Sequence, residues 1–207
     1  MTTLVLIAKE PIPGRVKTRL HPTLSFSEAA ELAAASIDDT IEAMRDVPAT
    51  HRILLFDGER PPASASAFEV IPQSMGDLDA RLAAIFDARS EPILLIGMDT
   101  PQISAADVHP VFHDWPAHID AWFGPANDGG FWALGMREPT GDVIRGVPMS
   151  RDDTGAIQLQ RLAAAGLTVG LLPTLTDVDT IADAIEVAQS APRTSFAQTL
   201  NRFSATD

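Results

Sequence analysis

Short apolar segments alternate with segments of helical periodicity along most of the chain. The apolar segments are rich in Val, Ile and Leu, which is typical of buried strands. Seven of them predict strands, at residues 3–8, 53–56, 68–71, 93–97, 121–123, 131–135 and 168–172. Five segments predict helices, at residues 27–45, 77–89, 104–114, 152–165 and 180–189. Regular alternation of strand and helix predicts an α/β fold with a doubly wound, mainly parallel but mixed sheet and helices on both faces.

Capping signals support these helices, and the order of elements predicts one domain. Ser25 and Glu28 have the spacing of a capping box before the first helix, and Gly166 follows the fourth helix as a C-cap would. We assign residues 1–190 to a single domain and residues 191–207 to a C-terminal tail or short helix.

Charge and composition narrow the classes of partner. The 207 residues carry a formal net charge of -13. Nucleic acids and anionic membranes both attract basic proteins, so we expect neither as a partner and expect small molecules instead. The chain has no cysteine, so any metal must be held by oxygen or imidazole groups. The apolar segment at the amino terminus is far shorter than a signal-peptide core or a membrane span of about 20 residues, which predicts a cytoplasmic protein.

The segment after the first predicted strand concentrates positive charge in this acidic chain. Residues 9–20 read K-E-P-I-P-G-R-V-K-T-R-L and contain four of the 15 Lys and Arg residues. Two prolines and a glycine exclude a regular helix or a central strand there, so the cations lie on a shaped loop. We predict an anion site for a small polyanion at Lys9, Arg15, Lys17 and Arg19, with a solvated basic loop as the alternative.

Two well-known phosphate loops do not fit this segment. The pair Lys17 and Thr18 matches the end of a Walker A loop, but Val16 replaces the required glycine and Pro13 stands where backbone amides should converge. A dinucleotide fingerprint needs three glycines, and this loop contains only Gly14. The predicted phosphate site is therefore of another kind.

Two aspartates follow predicted strands, where ligands bind in doubly wound sheets. Asp99 comes directly after the apolar strand at residues 93–97, and Asp179 introduces the last predicted helix. A carboxylate at the end of a buried strand is held by a divalent cation, a substrate hydroxyl or a backbone amide. We predict that Asp99 and Asp179 bind magnesium; a turn role for Asp99 and helix capping by Asp179 are the alternatives.

The segment at residues 124–130, G-P-A-N-D-G-G, places one acidic residue among three glycines. Glycines without Cβ atoms let backbone pass close to a ligand, which makes Gly129 and Gly130 candidate binding residues. Asp128 is a candidate for binding an acceptor or acting as a base. The alternative is a plain hairpin loop, because Asn-Asp-Gly-Gly is favourable turn chemistry.

Five motifs together resemble a known family. They are K-x-P-x-P-G-x-V-K-T-R-L at residues 9–20, Q-x-x-G-D-L-x-x-R at 73–81, G-x-D-x-P at 97–101, G-P-A-x-D-G-G at 124–130 and D-V-D-T at 177–180. In this order they resemble a bacterial family of GT-A-like transferases that are often labelled arsenosugar-biosynthesis-type glycosyltransferases. More distantly, the chain is similar to 2-phospholactate and molybdenum-cofactor guanylyltransferases.

The resemblance implies a GT-A, or nucleotide-diphospho-sugar transferase, fold and a division of roles among the motifs. It implies a first loop that holds nucleotide phosphates, at Lys9, Gly14, Arg15, Lys17, Thr18 and Arg19. It implies contacts to the donor's base from the loop after the third strand, at Gln73, Gly76, Asp77 and Leu78. It also implies a shared metal, Mg2+ or Mn2+, on Asp99 and Asp179. We predict Lys17 and Asp128 as the catalytic residues.

We therefore expect a metal-dependent transferase that uses a nucleotide-activated donor, with a nucleotide sugar as the expected donor and a small molecule as the acceptor. One alternative is a nucleotidyltransferase that moves a nucleoside monophosphate from a nucleoside triphosphate to a small phosphorylated acceptor. Another is a nucleotide-binding protein without turnover. The chain departs from the family at Phe131, where tyrosine is common, and at residues 148–151, where a Trp-Ser-Thr-like segment is expected. The acceptor and the oligomeric state stay open, with a homodimer as one option.

Overall fold

The computed structural model describes residues 2–205, in which seven strands form one sheet in the order β3-β2-β1-β4-β6-β5-β7. The strands are β1 (Thr3–Lys9), β2 (His51–Asp57), β3 (Glu69–Pro72), β4 (Ile93–Gly97), β5 (Ala121–Pro125), β6 (Phe131–Met136) and β7 (Val169–Leu171). The α-helices are α1 (Phe26–Ala43), α2 (Leu78–Asp87), α3 (His109–Phe112), α4 (Thr154–Ala164), α5 (Ile181–Ser190) and α6 (Ser195–Ser204). Short 3-10 helices span Thr18–Leu20 and Ala63–Ala67.

The sheet is mixed but mainly parallel, which confirms the predicted fold class. Strands β3, β2, β1 and β4 are mutually parallel, β6 runs antiparallel to both β4 and β5, and β7 is parallel to β5. Strands β2 and β3 extend the sheet on one side of β1, and the chain then crosses back to place β4 on the other side of β1. This is the topological switch point at which ligands bind in open α/β sheets.

Alternation of side chains along the strands produces a core on each face of the sheet. Leu4 and Leu6 of β1 pack with α1 on one face, whereas Val5 packs with α2 and α4 on the other. All three side chains are buried. Apolar β-branched and leucine residues on both faces are what a parallel strand covered by helices requires.

The predicted helix at residues 104–114 is largely wrong, because only α3 at His109–Phe112 forms there. Residues before it make a turn in which the backbone N and Oγ of Ser104 donate to the Asp107 carboxylate at 2.8 and 2.7 Å. Pro110 carries no backbone N–H and is tolerated only in the first turn of a helix, so helix cannot run through it from residue 104.

The helix α6 lies in the segment that the sequence leaves as a tail or short helix. Phe196 and Leu200 of α6 are buried against α1 and α5. The Asp39 carboxylate on α1 accepts hydrogen bonds from the backbone N of Ser195 and of Phe196, at 2.9 and 2.7 Å. A long-range cap therefore anchors this helix to the domain.

No helix in residues 2–205 combines the length and the apolar character needed to cross a bilayer.

Candidate active site

A cleft of about 860 Å³ opens at the carboxyl ends of the central strands. Its walls come from the loop after β1, the end of β4, the loop between β5 and β6, the segment before α4 and the segment before α5. Of the predicted site residues, eleven line it: Lys9, Arg15, Lys17, Thr18, Arg19, Gln73, Leu78, Asp99, Asp128, Gly130 and Asp179. The topology thus brings together most of the residues that the separate motifs supply.

Lys17 lies at the centre of this cleft. Its backbone is left-handed, with φ 47°, and its side chain is only 7% exposed. The Nζ lies 2.7 Å from Asp99 Oδ1 and 3.9 Å from Asp179 Oδ1, and it also donates to the backbone carbonyl of Val178. Burial alone would lower the pKa of Lys17, but Asp99, Asp177 and Asp179 outweigh it, so the pKa is raised. Lys17 is therefore a fixed cation among carboxylates.

Val178 orients the aspartates on either side of it. Its backbone N donates to the Asp99 carbonyl at 3.0 Å, and its side chain is buried in an apolar cluster with Leu20 of the loop after β1. Because side chains alternate in an extended segment, burying Val178 directs Asp177 and Asp179 to the opposite side, where they line the cleft.

Three carboxylates converge on one point beside Lys17. One oxygen from each of Asp128, Asp177 and Asp179 lies within 4.8 Å of the others. Burial, and after it the negative charge of Asp99, raises the pKa of Asp177 to about 8. Oxygen donors at this spacing fit a hard divalent cation such as Mg2+ or Mn2+, which would relieve the repulsion among them.

Asn127 fixes this convergence from the loop between β5 and β6. Its backbone N donates to the Leu175 carbonyl at 3.1 Å, and its Oδ1 accepts from the backbone N of Asp177 at 3.2 Å. The neighbouring Asp128 is thereby held next to Asp177. Sequence reasoning did not single out Asp177 as a site residue, although its two-residue spacing from Asp179 is the signal that would have identified it.

The predicted metal pair of Asp99 and Asp179 stays a prediction. In the structure Asp99 is the close ion-pair partner of Lys17, and Asp179 is shared between Lys17 and the carboxylate group. Asp179 Oδ2 also accepts from Arg19 Nη1 at 2.7 Å.

The loop cations fall into two classes. Lys17 and Arg19 are ion-paired, whereas Lys9 and Arg15 line the cleft without an ion pair among residues 2–205. Gly14 is not part of the cleft wall; its φ of +77° shapes the turn between the two cations.

Gly129 has a packing role that the sequence did not predict. A Cβ there would lie 1.9 Å from the Asp152 carbonyl oxygen, and Gly129 φ is +87°. Its own carbonyl accepts from the backbone N of Gly155 at 2.8 Å, at the start of α4. The close approach that Gly129 permits is thus to protein backbone. The neighbouring Gly130 donates its backbone N to Asp128 Oδ1 at 2.9 Å, which orients that carboxylate.

The segment before α4 forms a wall of the cleft, although none of its residues was among the predicted site residues. Met149, Ser150, Arg151 and Asp152 all line it. Ser150 has φ 59°, and the Arg151 guanidinium is held by the Asp153 carboxylate through two bonds of 2.9 and 2.8 Å. The signal in the sequence was the departure from the family pattern at residues 148–151.

The family of the chain follows from a match to residues 40–151, more than half of its length. The matching family is described as an uncharacterized protein conserved in bacteria (DUF2064). The chain belongs to the DUF2064 family. The assignment to an arsenosugar-type subgroup stays a prediction. No curated protein matches the chain.

Solved structures share the fold. A crystal structure from Desulfovibrio desulfuricans G20, provisionally named a nucleotide-diphospho-sugar transferase, is 25% identical with a TM-score of 0.86 and covers 99% of this chain and 95% of that chain. The 2-C-methyl-D-erythritol 4-phosphate cytidylyltransferase from Thermus thermophilus is 18% identical, with a TM-score of 0.56 and coverage of 93% and 100%.

A third neighbour is glucosyl-3-phosphoglycerate synthase from Mycobacterium tuberculosis, in complex with Mn2+, uridine-diphosphate and glucosyl-3-phosphoglycerate. It is 14% identical with a TM-score of 0.50 and covers 98% of this chain and 79% of that chain. At this identity, as for the cytidylyltransferase, the likeness shows the fold alone. This DUF2064 chain therefore has the GT-A-like fold that its motifs predict.

Proposed function

We propose that the protein is a metal-dependent transferase that takes a nucleotide-activated donor, and that the donor is a nucleotide sugar. The observation that carries this proposal is the convergence of Asp128, Asp177 and Asp179 beside the cationic loop, in one cleft at the topological switch point. The 25% identity to a protein provisionally named a nucleotide-diphospho-sugar transferase, over 99% of this chain, supports the same donor class.

The phosphate loop has cations for two phosphate groups rather than three. Lys17 is committed to Asp99, and Arg19 is committed to Asp179. Lys9 and Arg15 line the cleft without an ion pair among the described residues and are therefore the cations ready to bind a ligand. Two such cations suit the diphosphate of a nucleotide sugar.

Asp177 and Asp179 would hold the divalent cation, with Asp99 as an outer carboxylate that keeps Lys17 in place. When bound, the cation would neutralise negative charge that develops on the leaving diphosphate. Lys17 adds a positive charge that is already buried and oriented before the donor arrives, so little reorganisation is needed.

Asp128 orients the acceptor hydroxyl or takes its proton. It is the exposed member of the three carboxylates, and the backbone N of Gly130 holds its Oδ1. A general base must reach the proton that it removes, and an exposed carboxylate next to the donor's phosphates meets that need.

Nucleotidyl transfer is the second candidate, because Arg19 becomes available for a third phosphate once a cation replaces it beside Asp179, while Lys17 stays paired with Asp99. An acceptor phosphate would then attack the α-phosphorus of a nucleoside triphosphate, which needs no protein base.

The two candidate reactions release different products, nucleoside diphosphate from glycosyl transfer and pyrophosphate from nucleotidyl transfer. Wild-type protein is incubated with Mn2+, a deproteinised bacterial metabolite extract as the source of acceptors, and a panel of nucleotide sugars and nucleoside triphosphates. Nucleoside diphosphate and pyrophosphate are then quantified. We expect nucleoside diphosphate from one nucleotide sugar, loss of release and of metal-dependent binding in Asp179→Asn, and loss of release with retained binding in Asp128→Asn. The exposed Asp46→Asn is the matched control. Pyrophosphate would establish nucleotidyl transfer, and binding without either product would refute turnover.

A further inference from the structure

Both N–H donors of the Gln73 side-chain amide are hydrogen-bonded to the protein itself. Its Nε2 donates to the backbone carbonyls of Ala8 and Leu55, at 2.9 and 3.2 Å. Its Oε1 accepts from Arg81 Nη1 at 3.2 Å. A glutamine amide carries two N–H donors on one nitrogen, so neither is left for the edge of a nucleobase. Gln73 lines the cleft but has no free donor to offer a ligand.

The two carbonyls lie at the carboxyl ends of β1 and β2. Ala8 directly precedes Lys9 of the phosphate loop, and the backbone N of Gln73 donates to the Phe56 carbonyl at 3.1 Å. Gln73 therefore fastens the start of the loop at residues 73–77, here called the nucleoside loop, to the strands that carry the phosphate loop.

Arg81 holds the other end of the nucleoside loop. Its Nε donates to the Gly76 carbonyl at 2.8 Å, and its Nη1 lies 3.3 Å from Asp57 Oδ2 at the end of β2. Gly76 has φ +114°, a conformation that other residues rarely adopt. The Arg81 side chain is only 27% exposed, although the loop it contacts is exposed.

The nucleoside loop has little other support. Within residues 2–205, no hydrogen bond is donated by the backbone amides of residues 74–77, and Met75 at its tip is 94% exposed. Its shape therefore depends on the side-chain bonds from Gln73 and Arg81. A guanidinium fork presents donors in a fixed plane, which an ammonium group cannot reproduce.

We propose that Gln73 and Arg81 are positioning residues that hold the nucleoside loop in the shape that receives the donor's nucleoside. This inference rests on the proposed function: Gln73 and Leu78, which bracket the loop, line the same cleft, and the backbone amides of residues 74–77 between them donate no hydrogen bond within residues 2–205. It differs from the direct base contact that the family resemblance implies for Gln73. Base preference comes instead from the backbone groups of the loop, and neither side chain sets it.

The test compares nucleoside diphosphates with a ligand that has no nucleoside. Binding of UDP, GDP, CDP and ADP, and of inorganic pyrophosphate, is measured by calorimetry with Mn2+ for wild type, Arg81→Lys, Gln73→Glu and the double variant. Gln73→Glu keeps an acceptor for Arg81 but has no donor for Ala8 and Leu55. Arg45→Lys, at an exposed site on the turn after α1, is the matched control.

Each single variant is expected to weaken every nucleoside diphosphate about 5- to 30-fold, the loss expected for one or two hydrogen bonds. Their order of affinity and the affinity for pyrophosphate should not change. The double variant should be no weaker than the worse single variant by more than about 3-fold, because both break one network. A changed base order in Gln73→Glu alone would show direct base readout and overturn the proposal. An equal loss of affinity for pyrophosphate would show that the variants disturb the whole cleft, not the nucleoside loop alone, and would also overturn the proposal.

If wild type binds no nucleoside diphosphate, the proposed function fails, and hydrogen exchange tests the positioning role by itself. Exchange of the Gln73 and Arg81 amides, which donate to the Phe56 and Asp77 carbonyls, should accelerate in Arg81→Lys and stay at the wild-type rate in Arg45→Lys. Unchanged exchange in Arg81→Lys would overturn the positioning role whatever the ligand.

Discussion

Replacing Asp177 with asparagine should stabilise the metal-free protein while removing its response to metal. The folded state raises the pKa of Asp177 from 3.8 to about 8, through burial first and then through repulsion from Asp99 and other carboxylates. Between these values the folded protein retains a proton that the unfolded chain releases. Stability from this group is therefore fully present below about pH 4 and is lost as the pH rises toward 8.

The size of the effect follows from the shift. At pH 7 the solution is about three pH units above the unfolded-state pKa of Asp177, which is 3.8. At about 1.4 kcal/mol per unit, keeping the proton in the folded state would cost about 4 kcal/mol if burial were complete. Asp177 is only partly buried, so we halve this figure for solvent screening. Asp177→Asn should then raise the free energy of unfolding by about 2 kcal/mol, or the melting temperature by about 4–8 °C for a chain of this size.

The assay is urea unfolding of wild type, Asp177→Asn and the control Asp46→Asn from pH 5 to pH 8, with and without Mn2+. Without metal, the advantage of Asp177→Asn should widen as the pH rises. With Mn2+ at 100 times its dissociation constant, wild type should gain about 2.7 kcal/mol and Asp177→Asn much less. The reasoning is refuted if Asp177→Asn is less stable than wild type at pH 7 without metal, or if the gap does not depend on pH.

Three further changes test other parts of the account. Lys17→Ala leaves carboxylates buried without their cation, so it should lower the free energy of unfolding, measured in urea, by about 3 kcal/mol. Mn2+ should restore part of this loss. An unchanged free energy of unfolding would contradict the stabilising role of the Lys17–Asp99 ion pair. Gly129→Ala places a Cβ 1.9 Å from the Asp152 carbonyl oxygen and should lower the free energy of unfolding by about 3 kcal/mol. Gly14→Ala should cost about 1 kcal/mol, because Gly14 also has a positive φ but has open space where the Cβ would lie. Equal losses in the two variants would contradict the packing role of Gly129. Hydrogen bonds from the backbone N of Glu59 and from Arg60 lower the pKa of Glu10 below 4.5, so ionised Glu10 stabilises the fold above that pH and this stabilisation is lost as the pH falls further. In Glu10→Gln the free energy of unfolding should therefore depend less steeply on pH below 4.5. A slope equal to that of wild type would refute this role.

The strands were predictable because their pattern is local. The five inner strands are mostly buried and therefore carry continuous apolar runs. The edge strands β3 and β7 are more exposed, but each is still readable as a short segment that contains Val, Ile or Leu. The helix α6 depends on long-range information, because Asp39 caps it from 156 residues away and its burial needs the α1 surface. Likewise, only Pro110 in the sequence hinted that α3 would be short.

The site was predictable to the extent that topology assembles it. Residues after β1 and β4 must meet at a switch point, so Lys9, Lys17 and Asp99 could be placed from the order of elements alone. Side-chain pairing was not predictable in this way. Lys17 turns inward to Asp99, and Gln73 donates both of its amide hydrogens to the Ala8 and Leu55 carbonyls. Both pairings depend on rotamers and distances that no spacing in the sequence encodes.

The most direct test of the account is calorimetric titration of wild-type protein with the diphosphates of the four common nucleosides, with Mn2+ and with a chelator. The account predicts binding of at least one diphosphate at a single site that requires Mn2+ and is lost in Asp179→Asn. Absence of binding for all four in the presence of Mn2+, or binding that is equally tight with the chelator, would contradict a metal-dependent nucleotide site in this cleft.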